Sequence, residues 1–367
     1  MQNLADHLFS LMRERVSSSP EFDFHHTPSP PHFVGADVHI LASLLQKAIR
    51  RGDLANARRA GHQLLALDPS RLWRRLSVTA LEDIGIGDSE AVAELVAIAT
   101  LPELRRKLGG NSVTLDLALA HGCRAVKDRS ADHLSSIAER EPIPDGRFDS
   151  LERASDNALA AVIASQCQHW SHCARAASIL IRRYEEGSTA SRVATLAPIF
   201  ERFQELGAPE RLVTACQTHA ARQRDALALY VLIAWSFQAA SGGLATIRCH
   251  DLPEPVLVDG IPEFAFDPHH TRIGRRAVEL WRRCYLAPPP WTARQLGMAL
   301  WNIEAAACDR TLDWPMGRDI RRRAYRADLL SKGVPEAEHA ALYAWVIREH
   351  SALTCARTAA FRSATNP

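Results

Sequence analysis

Apolar residues recur at helical spacing through most of this chain, and the breaks between the runs carry helix-cap chemistry. That combination limits the fold more than any other feature. In "DVHILASLLQKAIRRGDLANARRAGHQLLALDPSRLWRRL", Val38, Leu41, Leu44, Leu45 and Ala48 share one face of a 3.6-residue period. Gly52-Asp53 then supplies a stop and a fresh N-cap, and Asp68-Pro69-Ser70 does the same for the next helix. With 367 residues there is material for a large core divided into more than one unit. The predicted fold class is all-α: a multi-helix bundle of two packed units with one irregular Gly/Pro-rich insert.

Punctuation divides the chain further. Residues 1–35 read as a short helix followed by an arm rich in Ser, Pro and His, with His25, His26 and His32 on the arm. Residues 36–145 form a first helical domain ending near "EREPIPDGRFD", and residues 146–240 a second helical block. Residues 241–271, "SGGLATIRCHDLPEPVLVDGIPEFAFDPHHT", break helical spacing with Gly and Pro, and long ordered loops are disproportionately functional. Residues 272–367 return to helices, rich in Arg, expected over 272–287, 291–310, 317–331 and 335–357.

Net charge is only +2, which by itself does not mark a nucleic-acid binder, but the basic residues are 40 Arg against 4 Lys. A GC-rich genome explains that bias; a guanidinium fork also suits phosphate better than an ammonium does. The eight Cys include no CxxC pair and read as reduced core thiols. The opening "MQNLADHLFSLMRERV", with Asp6 and no long apolar run, is not expected to be a signal peptide. No window approaches the roughly 18 apolar residues of a membrane span, so a cytoplasmic protein without membrane contact is expected.

Several catalytic classes lack their motifs. There is no GxxxxGK[ST] and no GxGxxG between a strand and a helix, so no phosphate cradle for an ATPase or dinucleotide enzyme. "CQHWSHC" offers Cys167, His169, His172 and Cys173, but on a helix Cys167 points away from the other three and no second ligand pair stands at finger spacing. His250-Asp251 is the dipeptide of HD phosphohydrolases, here surrounded by Pro253 and Pro255. No metal and no cofactor is expected.

The segment "FDPHHTRIGRRAVELWRRC" is more informative. A helix starting near Thr271 places Arg272, Arg275, Arg276, Arg282 and Arg283 within an arc of about 120°, with Ile273, Ala277, Leu280 and Cys284 filling a separate apolar arc. Asp267, His269, His270 and Thr271 stand at its N-terminus, where backbone N–H groups and polar side chains can hold phosphate. "MGRDIRRRAYRADLL" repeats the theme, with Arg318, Arg322 and Arg326 at i, i+4 and i+8 and Tyr325 available for stacking. Either face is also what a solvated helix with internal ion pairs would present, Glu279 pairing with an Arg on the first.

The stretch "RLWRRLSVTALEDIGIGDSEAV" poses a different question, because two adjacent acids stand where a helix stops. On a helical wheel Glu82 falls on the polar side with Arg71 and Arg75, while Asp83 points between Leu72 and Leu76 and is expected to be at least partly buried. A buried carboxylate needs a partner, and the N-terminus of the helix after Asp88 is the local candidate, reached through the turn at Gly85. Glu82, Asp83, Gly85 and Asp88 are thus read as a structural joint rather than a catalytic pair.

Residues 40–135 resemble the helical C-terminal portion of the RarA/MgsA group of replication-associated recombination ATPases. The matching positions are Ala48, Ile49, Arg50, Gly52 and Asp53, then Arg74, Arg75, Leu76, Glu82, Asp83, Ile84, Gly85 and Asp88, followed by "LDLALAHGC". In that family the region is clamp-loader-like and mediates oligomerisation behind an AAA+ motor. No motor motif occurs in this sequence, so the resemblance implies an assembly surface and a setting in replication, recombination or repair, not ATP hydrolysis. The expected function is a non-catalytic factor of DNA metabolism or mobile-element biology that self-associates or binds a replication or repair protein and contacts DNA through Arg faces. Two other readings remain open: a metal-dependent phosphohydrolase or nuclease built on His250, Asp251, His269 and His270, and a helical scaffold that never touches nucleic acid.

Overall fold

Short polar side chains start the helices as their chemistry requires. Asp37 accepts from the N–H groups of His39 and Ile40 to open α1 (Val38–Arg50), Asp53 accepts from Asn56 N to open α2 (Leu54–Leu67), and Asp68 accepts from Arg71 N ahead of α3 (Pro69–Thr79). A computed structural model describes residues 32–142, 148–184, 189–285 and 289–365. The predicted first helix, most of the Ser/Pro/His arm including His25 and His26, and part of the boundary near 145 lie outside the described residues.

The fold is all-α, with short strands confined to two two-stranded antiparallel sheets among the described residues. Two units are each assembled from separate stretches of chain: one from Trp73–Cys249 and Arg310–Ala324, the other from Ser29–Leu72, His250–Asp309 and Tyr325–Pro367.

In the first unit, α3 runs into a π-helical turn over Ala80–Ile84 and a 3-10 turn over Gly85–Gly87. Helices α4 (Ser89–Thr100), α5 (Pro102–Lys107), α6 (Asn111–Arg124) and α7 (Ser130–Arg140) follow. The text from 151 to 187 resolves into separate helices, α9 (Asp156–Ile163) and α10 (Trp170–Arg183), after a single turn α8 (Asp149–Glu152). Helices α11 (Thr189–Glu205), α12 (Glu210–Arg222) and α13 (Leu227–Ala240) follow, and the N-terminal part of a later helix, residues 315–324, also belongs to this unit. The α13 sequence "LALYVLIAWSFQAA" is apolar all round, so it is buried along almost its whole length against α7, α10 and α12.

The segment after α13 is irregular but not without pairing. Strand β1 (Thr246–Cys249) pairs with β4 (Arg310–Asp313) in the first unit. In the second, β2 (Leu257–Val258) and β3 (Ile261–Pro262) form a minimal hairpin around Asp259 and Gly260, both at positive φ.

In the second unit, α1 packs on α2, and α14 (Arg272–Arg283) packs on α17 (His339–Thr365), with α15 (Ala293–Ala305) against both α14 and α17. Helix α16 (Pro315–Leu330) contributes its C-terminal part here. Aromatic rings fill this core: Trp281 and Trp345 lie 4.8 Å apart between centroids, and Tyr285 meets Trp345 edge-on at 5.4 Å. The last helix runs to Thr365, eight residues past the expected 357, because Leu353, Ala356, Ala360 and Phe361 continue its buried stripe.

The thiol expectation is only half met. Cys123, Cys173, Cys216 and Cys308 are buried, while Cys167, Cys249, Cys284 and Cys355 are exposed, and none of the eight is in a disulfide. Burial pushes the Cys173 thiol up to about 12, as an inert core sulfur requires. Among the described residues no helix is long and apolar enough to cross a membrane.

Candidate functional site

Helix α14 is capped by Thr271, whose hydroxyl accepts from Gly274 N at 2.9 Å. Its buried side is Gly274, Ala277, Val278 and Trp281, which corrects the apolar arc expected from the sequence. Ala277 is buried as expected, Ile273 and Leu280 pack against the core only partly buried, and Cys284 is exposed, so the contact face is turned toward Gly274, Val278 and Trp281. Gly274 allows a close approach: a Cβ there would sit 2.4 Å from the carbonyl carbon and oxygen of Asp267.

The predicted Arg face is divided between exposed and half-buried side chains. Arg272, Arg275, Arg276 and Arg283 are exposed, and Arg282 is half-buried with its Nε donating to Trp291 O at 2.8 Å. Arg276 pairs with Glu279 at 3.2 Å, and Arg275 donates to His269 O at 3.2 Å. Of the four polar residues before the helix, Asp267 turns inward and is 1% exposed, Thr271 is spent as the cap, and His269 and His270 remain at the surface.

Asp267 is the anchor of this loop. Lys47 Nζ lies 3.0 Å from its Oδ2, His269 N donates to its Oδ1 at 2.6 Å, and His270 Nδ1 stands 3.3 Å from Oδ2. Burial alone would raise its pKa, but Lys47 and His270 outweigh it and hold the carboxyl well below its ordinary value. Lys47 also donates to Phe264 O at 2.8 Å and lies 3.8 Å from Glu304. Burial likewise opposes ionisation of Glu304, yet Arg357, a hydrogen bond from His350, and Lys47 hold it at about 2. These buried, mutually neutralising charges fix the loop in front of α14.

One face of that loop borders a cleft of about 390 Å³. Pro268 and His269 form one wall, Arg275, Val278 and Glu279 of α14 another, and Ala293, Arg294, Gly297, Met298 and Trp301 of α15 a third, with Lys332 at the rim. The His269 and Trp301 rings lie 5.3 Å apart at 40°. Two predicted residues, Arg275 and His269, thus meet in one concave site; Arg294, Lys332 and Trp301 were not anticipated, because they lie on segments that no local pattern ties to α14.

The second Arg series is arranged differently. Arg318 pairs with Asp313 at 2.8 Å, Arg322 with Asp319, and Arg326 with Glu336 at 2.8 Å. Arg323, not singled out by the sequence, forms a two-bond fork on Glu141 at 2.5 and 2.8 Å and lies over the Trp170 ring. Tyr325 is half-buried and its hydroxyl is enclosed.

At the helix joint the structure changes the sequence reading. The five-residue π turn rotates Glu82 away from the wheel position predicted for a regular helix, so it is only partly exposed instead of lying on an open polar face. Burial raises its carboxyl to about 8, with Asp132 and Asp83 adding to the effect against Arg75 and Arg129. Asp83, expected to be at least partly buried, is fully so, but its charge is met by Arg129 Nε at 3.1 Å; the α4 cap is Asp88, which accepts from Ala91 N. Arg129 also holds Asp132. Gly85, at φ +49°, lets the chain pass so close to Asp128 that a Cβ would lie 2.6 Å from its carbonyl oxygen.

Two catalytic alternatives can be set against the geometry. Among the described residues no group of three or more His, Cys, Asp or Glu stands where it could hold a metal, and His250 and Asp251 are exposed. His169 caps α10 through Ser171 N, separate in role from Cys173 in the core. A serine–histidine–aspartate chain does exist: Ser77 Oγ is 2.8 Å from His219 Nδ1, and His219 Nε2 is 3.0 Å from Asp225 Oδ1. Ser77 is 1% exposed and His219 fully buried, so no substrate carbonyl reaches the hydroxyl, and the chain serves to satisfy buried polar groups. Comparison with protein-family models, with curated proteins and with solved structures gives no match.

Proposed function

We propose that this chain is a non-catalytic helical factor of DNA replication, recombination, repair or mobile-element biology, acting in the cytoplasm by self-association or partner binding and contacting nucleic acid through an Arg-rich helix face. The observation that carries the nucleic-acid part is α14, which keeps Arg272, Arg275, Arg276 and Arg283 exposed on a helix whose other side is locked into the core. Arg272 has no acidic partner among the described residues, and only Arg276 is spent on the helix's own Glu279. Such a face can exchange counterions for backbone phosphates. The setting and the self-association rest on the resemblance of residues 40–135 to the RarA/MgsA helical region.

The scaffold reading is favoured by one observation, that Arg318, Arg322 and Arg326 each already hold a carboxylate. Binding of labelled duplex and single-stranded DNA across a salt series separates the two. The expected result is affinity that falls steeply with salt and drops tenfold or more in the Arg272→Glu/Arg276→Glu variant. No binding to DNA or RNA at low salt would overturn the nucleic-acid part and leave the scaffold.

A further inference from the structure

We infer that the cleft between the His269 loop, α14 and α15 holds one nucleoside-phosphate unit, presented as an unpaired nucleotide of a single strand. The inference rests on the nucleic-acid reading above and names the ligand that its Arg face would deliver. Its volume of about 390 Å³ lies within the ~300–1,000 Å³ range of small-ligand sites. Val278 and Met298 supply an apolar lining, and the exposed His269 ring, tilted against the buried Trp301, forms an aromatic wall. A base can stack on such a wall whatever its identity, since every base has a π-face.

The charges suit the other half of the ligand. Arg275, Arg294 and Lys332 border the cleft against the single acid Glu279, and Glu279 is already engaged by Arg276. Arg294 is exposed and has no acidic partner among the described residues, and Arg275 spends one N–H on His269 O, leaving its remaining donors for phosphate oxygens. The loop that presents His269 is pinned from behind by the buried Lys47–Asp267 pair, so the aromatic wall is preorganised. Gly297 leaves the space open: a Cβ there would meet only Pro268, at an ordinary 3.5 Å. A duplex base, stacked on both faces and paired, cannot enter a concavity of this kind without being extruded. A single strand pays no such cost.

Gly297 also gives the test. Gly297→Leu fills the cleft from a helical position that tolerates a side chain, and Arg294→Glu reverses its phosphate-side charge. Both are checked first for an unchanged circular-dichroism spectrum and melting point. Anisotropy of a fluorescein-labelled oligothymidylate, with labelled duplex and with thymidine monophosphate as competitor, supplies the readout. The wild type is expected to prefer single strand over duplex at least tenfold and to release it to thymidine monophosphate, and either variant to lose both properties. Retention of that preference and displacement in both variants would overturn the inference, as would a wild type that shows neither. If Arg272→Glu/Arg276→Glu abolishes salt-dependent binding while Gly297→Leu has no effect, the cleft assignment fails and the broader reading stands. Thymidine monophosphate binding without strand binding, read by titration calorimetry, would overturn both the single-strand assignment and the broader reading.

Discussion

Lys47 Nζ lies 3.0 Å from Asp267 Oδ2, with the two side chains 6% and 1% exposed. A pair this deeply buried is weak evidence of net stabilisation, but removing one partner strands the other. Asp267→Ala is expected to cost about 3–5 kcal/mol in urea unfolding, whereas the double replacement Lys47→Met/Asp267→Leu should recover most of it. A double variant as unstable as the single one would show that the loop geometry, not the charge, depends on this pair.

The same network sets an acid limit. Asp267 and Glu304 both titrate below their unfolded values, so each contributes stability that is fully present above about pH 4 and lost as pH falls through the folded value. For Glu304 that loss extends down to about pH 2. Urea midpoints measured from pH 5 downward should therefore decline more steeply in the wild type than in Glu304→Gln, which starts lower but has less to lose.

Glu82 works in the opposite direction. Its folded pKa is raised to about 8, so the folded state holds a proton that the unfolded state releases near pH 4, and stability falls as pH rises between those values. Glu82→Gln should remove this penalty, so the variant should be more stable than the wild type at pH 8 and its stability should vary less between pH 5 and pH 8. Equal pH slopes for the two proteins would refute the assignment.

Gly274→Ala isolates the close approach of α14 to the Asp267 backbone. Helix propensity alone predicts a gain of about 1 kcal/mol, but a contact at 2.4 Å with backbone atoms forces a shift that outweighs it. A net loss of about 1–3 kcal/mol is expected in the urea midpoint. A stabilised variant would mean that the loop yields freely.

The Ser77–His219–Asp225 chain predicts an absence of reactivity. A fluorophosphonate should leave Ser77 unlabelled in the folded protein, by mass spectrometry. Ser77→Ala should cost about 1–3 kcal/mol, because His219 Nδ1 is then left buried without its donor. Labelling at Ser77 would require an opening to that hydroxyl.

What the sequence disclosed was what local chemistry decides. The breaks at Gly52-Asp53 and Asp68-Pro69 were legible because a cap needs only its next three residues. Arg272, Arg275, Arg276 and Arg283 were legible as one face because helical periodicity is local too. Glu82 was misplaced because an extra residue in the π turn breaks the 100° step on which a wheel depends. The partners of Lys47 and Asp83 were out of reach: Asp267, Glu304 and Arg129 meet them across long stretches of chain that no periodicity spans. The cleft was half visible for the same reason, with Arg275 and His269 on one segment, Arg294 and Trp301 on a second and Lys332 on a third.

The distance along the chain from Lys47 to its acceptor Phe264 O is 217 residues. At a synthesis rate of about 5–20 residues per second, α1 and α2 leave the ribosome roughly 10–40 seconds before the loop that neutralises Lys47 exists. During that interval the apolar stripe of Ile40, Leu41, Leu44, Leu45 and Ile49, destined to be fully buried, has α2 to lean on but not the later segments of its unit. Vectorial synthesis thus leaves the buried face of this hairpin waiting for its partners, and it makes completion of the second unit a late event in the life of each new chain.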